Sequence, residues 1–327
     1  MDGMNSTTAP RAPLIVNLGM GVDSVAMLVG LHAHGERPDL VIFADVGAEK
    51  PETYAYLPTI NAWLASVGFP LVTVVKRVVG PAGYRTLEEN VLQNETLPSL
   101  AFNMKGCSAK WKAEAMDHWL LGCKRGVNAH AGFAPVVEAV AVGVKPVKCI
   151  GYDAGPKDAR RTGKDECETF RYRYPLREWG WTREECMRQI AAAGLPVPVK
   201  SACFFCPASK EWELLWLAAK HPEHFMRTLK IEDTARAGKH GLTEVKGLWG
   251  RKAPKGALGD GSWRSWAEAN GIVDGDKLVG DAAAMMARAM AAKPAGESNS
   301  ALPCEAPEVV QIGRKARASQ QIAMVFA

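Results

Sequence analysis

The 327-residue sequence has no apolar run near the roughly 18 residues that a membrane-spanning helix needs. The opening MDGMNSTTAPRAP has no apolar stretch behind a basic head and is not expected to act as a secretory leader. Charge of one sign is not in excess: 40 Lys and Arg stand against 35 Asp and Glu, a net of +5. A balance that mild permits a polyanionic partner without requiring one. No internal repeat is present. These absences point to a soluble, cytoplasmic globular chain with no membrane partner, and cytosolic reductants keep its eight cysteines from pairing as disulfides. With 47% hydrophobic residues it can bury one substantial core plus a smaller appendage.

Four short runs rich in β-branched residues are present: LIVNL (14–18), LVIFA (40–44), LVTVV (71–75) and VKCIG (147–151). Their nearly continuous apolar character predicts strands buried on both faces. Segments of helical period, 23–34 and 51–66, separate the first three, and Pro51 and Glu52 open the second. This alternation predicts an α/β, doubly wound, mainly parallel sheet whose ligand-binding loops share its carboxyl edge. Further helices are expected over 107–124 and over 182–194, the latter with Thr182 and Glu185 as a capping box and Gly194 at its end. Another is expected over 208–225, interrupted near Pro222. The expected organisation is a flexible start (1–13), a nucleotide-binding domain with the cysteine site (14–236), a C-terminal subdomain (237–289) and a linker-like tail (290–327).

The loop LGMGVDS, Leu18 to Ser24, follows the first strand. It has neither the Gly-Lys-Ser/Thr ending of a P-loop nor the third glycine of the dinucleotide fingerprint. It does offer the backbone N–H groups of Gly19, Met20 and Gly21 opening onto a helix N-terminus, an anion site that needs no charged side chain. Asp23 and Ser24 are expected to cap that helix, with the Ser24 hydroxyl also suited to a phosphate. Met20 fits this loop if its φ is negative and its side chain turns toward the protein. The plain alternative is a strand-to-helix turn with a capping aspartate.

Two further strand-end loops weigh against that alternative. FADVGAEKPET carries Asp45, Gly47 and Glu49, whose carboxylates suit a sugar hydroxyl or water-bridged Mg²⁺. IGYDAGPKDARR begins with Gly151, Tyr152 and Asp153 and ends in Lys157, Arg160 and Arg161, cations suited to a polyphosphate.

Cys203 and Cys206 in SACFFCPAS have the spacing at which two thiolates share one metal ion or cluster, and Cys107 opens a helix, where a thiol pKa falls. Cys149 on the fourth strand is a weaker fourth candidate, because a buried strand cysteine is more often core. An iron–sulfur cluster, Zn²⁺ and a metal-free redox pair are all open to this spacing. Trp212 and Trp216, four residues apart, read as core. KGLWGRKAPKG and SWRSW mix cations with Trp, a composition compatible with nucleic-acid backbones. His221 and His224 read as flanks of the break at Pro222.

In this order the motifs resemble the PP-loop (adenine nucleotide α-hydrolase-like) superfamily, and within it the phosphoadenosine phosphosulfate reductase-like branch. GMGVDS resembles the Ser-Gly-Gly-x-Asp-Ser pyrophosphate loop, and FADVGAEKPETYAYL the Asp-Thr-Gly-x-Glu segment. CSAKWK, GYDAG…R and YPLREWGWTREEC carry the likeness over residues 14–230. Gly19 stands in place of the leading Ser, Met20 of the first Gly, Val46 of Thr and Pro156 of Glu.

The resemblance implies an enzyme that binds ATP or a related adenine nucleotide with Mg²⁺, releases pyrophosphate and transfers sulfur. The loop Leu18 to Ser24, Asp45, Gly47, Glu49 and Gly151 to Asp153 would then hold the nucleotide. Asp23, Ser24, Lys157, Arg160 and Arg161 would act on it, and Cys107, Cys203 and Cys206 would carry an iron–sulfur cluster. A nucleic acid is the implied sulfur acceptor, with a sulfur-donor protein and a second copy of the chain as further partners. Two other functions stay open. One is reduction of phosphoadenosine phosphosulfate, for which the tail Cys304 in LPCEAP lacks the matching context. The other is a non-catalytic accessory protein that binds nucleotide or nucleic acid.

Overall fold

The computed structural model describes residues 11–104, 106–123, 129–161, 163–239, 247–250 and 261–292. Five strands, β1 (Leu14–Asn17), β2 (Leu40–Asp45), β3 (Val72–Lys76), β4 (Val147–Ile150) and β5 (Arg171–Arg173), form one all-parallel sheet in the order β3-β2-β1-β4-β5. Helices α1 (Val22–Ala33) and α2 (Pro51–Ser66) connect β1 to β2 and β2 to β3. Between β3 and β4 come α3 (Leu87–Gln93), a π-helical turn (Ser108–Ala113), α4 (Glu114–Leu121) and α5 (Ala134–Ala141). The short α6 (Pro156–Ala159) precedes β5, and α7 (Pro175–Glu178), α8 (Arg183–Ala192), α9 (Glu211–Lys220) and α10 (Pro222–Ala237) follow it. Beyond them lie α11 (Trp263–Ala269), a two-stranded hairpin (β6, Val273–Asp274; β7, Lys277–Leu278) and α12 (Ala282–Ala292). The expected doubly wound α/β sheet is the one observed.

Alternate residues of the strands feed opposite faces. Val16, Val41 and Phe43 pack with α1, α2 and α8, whereas Ile15, Ile42 and Ala44 pack with α4 and α5. Two expectations for the strands need correction. β3 is an edge strand rather than one buried on both faces, and Val74 is 43% exposed. β5 was not expected, because Arg-Tyr-Arg has the polar composition of a sheet edge rather than an apolar run. The expected helix over 107–124 is divided, with the π turn ahead of α4. The break near Pro222 is present, with His221 ending α9 and preceding α10.

A third core lies outside the sheet. Phe204, Phe205, Trp212, Trp216 and Phe225 join Trp249, Trp263 and Trp266, with Met285 and Ala289 of α12, in one buried cluster. The tryptophans of SWRSW are therefore interior groups and offer no stacking surface to a nucleic acid. Most of KGLWGRKAPKG and all of 293–327, with Cys304, lie outside the described residues.

Candidate functional site

The strand order reverses direction between β1 and β4, and their carboxyl ends flank the crevice where open parallel sheets bind ligands. The loop after β1 lies there. A Cβ on Gly151, at the end of β4, would stand 3.0 Å from both the Asp23 carbonyl carbon and the Ser24 nitrogen, so glycine allows the two loops to close up. Ser24 Oγ accepts from the Gly19 N–H at 3.0 Å and donates to the Gly21 carbonyl at 3.1 Å, drawing the loop into a ring. Gly21 is the N-cap of α1, and no side chain caps that end. The first-turn N–H groups of a 12-residue helix thus open toward the crevice, as an anion site requires.

Two expectations for this loop are overturned. Asp23 does not cap α1; its Oδ1 accepts from Arg183 Nη1 at 2.7 Å, because the residue lies one place inside the helix and points across to α8. Met20 is not at negative φ but at +59°, in the left-handed region. Such a conformation costs about 1–2 kcal/mol for a residue with a Cβ. The side chain is 1% exposed and joins the core with α1, and that burial holds the residue there.

The loop after β4 brings further carboxylates. Ligand oxygens of Asp23, Asp153 and Asp158 lie within 4.8 Å of one another. Asp153 accepts the Gly155 N–H at 2.7 Å, and Asp158 pairs with Arg161 at 3.1 Å. Burial raises the Asp23 pKa, with Arg183 opposing the rise and Asp153 and Asp158 adding to it. These oxygens suit a hard divalent cation better than Asp45 and Glu49 do. Arg161 lies over the Tyr152 ring at 5.0 Å, Tyr152 stacks on Tyr174, and Arg177 faces both rings. Arg160 is exposed, and the Lys157 side chain lies outside the described residues.

Asp45 and Glu49 have internal partners. Asp45 Oδ1 accepts from the Gly47 N–H and the Tyr54 hydroxyl, both at 2.7 Å. Gly47 has φ +69°, and a Cβ there would lie 2.4 Å from Thr86 Cγ2. Glu49 has a fully buried side chain that accepts from Lys112 Nζ at 2.6 Å and from Ser201 Oγ at 3.4 Å. The chain after β2 is also joined by its backbone to the cysteine segment. Lys50 N–H donates to the Ala202 carbonyl at 3.2 Å, and Phe204 N–H to the Ala48 carbonyl at 3.0 Å. The Gly21 end of the first loop abuts Ser201, where an added Cβ would be 3.6 Å from Ser201 Cβ.

A buried charge network surrounds these cysteines. Glu213 of α9 is 2% exposed and pairs with Lys50 at 3.2 Å and Lys200 at 2.8 Å. Burial would raise its pKa, but the two lysines outweigh that and lower it. Burial would lower the Lys112 pKa, but Glu49 and the neighbouring Cys203 and Cys206 outweigh it and raise it. Removal from water raises both cysteine thiols, most strongly Cys203, whose neighbours include Glu49, Lys112, Cys206 and Cys107. Cys107 is anchored by Ser99, whose Oγ accepts its N–H at 2.9 Å and lies 3.0 Å from Sγ.

Cys107, Cys203 and Cys206 therefore converge, and Cys149 does not join them. It is fully buried in the core beneath α1 and α8, with its thiol pushed up to about 12 by burial. Two groups of three ligand atoms lie within 4.8 Å of one another among the described residues, and the cysteines form neither. A tetrahedral zinc site, with sulfurs about 3.8 Å apart, is thus not preformed. Three thiols suit a thiophilic centre.

Sequence reasoning missed Arg183, Lys50, Lys112, Lys200 and Glu213. It also missed Arg77, which lies over Trp111 at 5.1 Å and Tyr84 at 5.5 Å, with Nη1 buried and unpartnered among the described residues. Lys112 lay within the quoted CSAKWK, but nothing local signals that it meets Glu49. No family model matches the chain, and neither does any curated protein. Among the described residues no helix is long and apolar enough to cross a membrane.

Proposed function

We propose that this chain is a PP-loop enzyme that binds ATP or a related adenine nucleotide at the carboxyl edge of the sheet and uses it for sulfur transfer. The observation that carries this reading is the junction of the two sites. The chain after β2 meets the Cys203–Cys206 segment directly through the Lys50–Ala202 and Phe204–Ala48 backbone bonds and the Ser201–Glu49 contact, and the loop after β1 approaches the same segment at Gly21 and Ser201. A nucleotide on that loop would lie beside sulfur ligands on the segment.

In this reading the free N–H groups at the start of α1 hold the β- and γ-phosphates as the acceptor oxygen attacks the α-phosphorus. The α–β phosphoanhydride bond breaks and pyrophosphate leaves, stabilised by those fixed donors. Asp23, Asp153 and Asp158 hold Mg²⁺, and Arg161 and Arg183 balance the charge around it. Cys107, Cys203 and Cys206 would hold an iron–sulfur cluster, whose contribution when bound is an iron able to take up sulfur. Lys112, Lys50 and Lys200 offset the negative charge that three thiolates bring. A nucleic acid is the acceptor, a separate protein supplies sulfur, and the reaction belongs in the cytoplasm.

Anaerobic purification followed by absorption spectroscopy and iron, zinc and sulfide analysis tests this reading. Broad visible absorbance with matched iron and sulfide is expected, lost in Cys203→Ser, together with pyrophosphate release from ATP. Colourless protein with stoichiometric zinc would remove the sulfur-transfer step. Turnover of phosphoadenosine phosphosulfate in place of ATP would move the assignment to reduction.

A further inference from the structure

We propose that His221, Glu223 and His224, at the start of α10, form a binding site for a divalent transition metal ion of the Zn²⁺ type, with Glu52 of α2 as the carboxylate that orients His221. This inference does not depend on the nucleotide or sulfur chemistry. One ligand atom from each of the three residues lies within 4.8 Å of the other two. Two imidazoles and a carboxylate match the N/O donors that zinc takes when it keeps a fourth position open.

The local structure explains how three near-consecutive residues converge. His221 ends α9 and precedes α10 with φ −135° and ψ 64°, and Pro222 fixes the first helical residue. The turn brings His221 back over the first turn of α10, where Glu223 and His224 lie. The rings are also held from behind. Trp216 meets His221 edge-on at 5.3 Å, Phe204 meets His224 at 4.9 Å, and the two imidazoles are 5.8 Å apart.

Glu52 supplies the second, independent observation. Its Oε1 contacts His221 Nε2, while its Oε2 is buried without a hydrogen-bond partner. A carboxylate on Nε2 favours the tautomer that leaves Nδ1 as a lone-pair donor, the arrangement typical of metal-bound histidine. His224 Nδ1 lies 3.2 Å from Glu223 Oε1, so these two groups already face each other. A simple Glu52–His221 pair would not account for that approach.

Electrostatics at this place need a balance. The N-terminus of α10 is positive and disfavours a cation. Glu52 and Glu223 contribute two negative charges that match a divalent ion, and Arg227 of the same helix is already paired with Glu88. The His side chains are 20% and 19% exposed and that of Glu223 is 68% exposed, so the ion would exchange with solvent. Bound, it would tie α2, which packs on the sheet, to the α9–α10 junction, which packs on the cysteine segment through Phe204.

Co²⁺ titration of the full chain, followed by visible absorption and reversed by Zn²⁺, tests the site. Cobalt on the cysteines adds intense thiolate charge-transfer absorption, and cobalt on the all-oxygen Asp23, Asp153 and Asp158 group gives only weak bands that His224→Ala leaves unchanged, so the histidine site is read separately from both. The expected result is ligand-field absorption that disappears in His224→Ala and in Glu223→Gln, with affinity weakened about 10–100-fold in Glu52→Gln. Zn²⁺ should also raise the thermal midpoint of the parent chain more than that of Glu223→Gln. Glu223 is exposed, so loss of binding in that variant does not reflect unfolding. The proposal is overturned by unchanged Co²⁺ affinity in Glu223→Gln and His224→Ala, or by cobalt absorption that is wholly thiolate in character.

Discussion

The loop after β1 and the segment around Cys203 approach each other at Gly21 and Ser201, but they satisfy their polar groups in opposite ways. The loop relies on its backbone: one hydroxyl closes the ring, a left-handed methionine turns the chain, and one half-exposed ion pair lies behind. The cysteine segment relies on side-chain charge, with Lys50, Glu213 and Glu49 placed almost out of water and Lys112 partly buried. The loop is thus limited by geometry, because a Cβ or a changed φ alters where its N–H groups point. The cysteine segment is limited by charge compensation. A buried ion pair adds little net stability over apolar packing, but breaking it leaves a charge without a partner.

The largest effect should come from that compensation. Glu213→Gln leaves the Lys50 ammonium, 6% exposed, facing a neutral amide. A loss of about 3–5 kcal/mol in urea denaturation is expected. Adding Lys50→Met should recover part of it, since neither charge then remains. The pH dependence has a defined sign. The folded pKa of Glu213 lies below its ordinary 4.5, so its contribution is complete above that value and fades as pH falls through the folded one. The variant should lose this acid limb. Equal acid sensitivity in the two proteins would mean that the network is not held together by charge.

The loop should respond to shape instead, and Met20 gives the sharper comparison. Met20→Ala keeps the left-handed φ and removes a fully buried side chain, a loss of about 2–5 kcal/mol. Met20→Gly removes the same side chain but relieves the backbone, which is worth about 1–2 kcal/mol. Glycine should therefore be the milder of the two substitutions in thermal or urea unfolding. Alanine is the better tolerated at most positions, so the usual order, if measured, would mean that the φ of +59° is not maintained in solution.

Met20 also marks the limit of what this sequence discloses. Apolar runs identified four strands, and the strand-end loops that carry the candidate site lie at the carboxyl edge, because both signals are local. A methionine gives no local sign of a positive φ. That conformation is imposed by the pocket its side chain fills, which is assembled from α1 and the sheet. Arg183 and Asp23 are 160 positions apart, and Lys50 and Glu213 are 163 apart. No spacing rule reaches across such separations. Asp45 and Glu49 carried the right residue types for a ligand, but tertiary contacts with Tyr54 and Lys112 engaged them first. β5 was missed for the converse reason, since an edge strand needs little apolar surface.

The smallest of these effects, at Ser24, tests whether the two regions are separable at all. Its hydroxyl makes one bond at each end of the ring, accepting from Gly19 and donating to Gly21. Ser24→Ala leaves the Gly19 N–H unsatisfied at a partly buried position and should cost about 1 kcal/mol. Global stability will therefore change little, but the ring loses the contact that sets its shape. Pyrophosphate affinity, measured by calorimetry, should fall in Ser24→Ala and be restored in Ser24→Thr, which keeps the hydroxyl. Metal content at the cysteines should be unchanged, because no charge in their network has been altered. If pyrophosphate binding survives the alanine substitution, the N–H groups of α1 hold the anion without the ring. If metal content falls as well, the close approach of Gly21 to Ser201 transmits loop shape to the thiols, and the backbone-built and charge-built regions act as one unit.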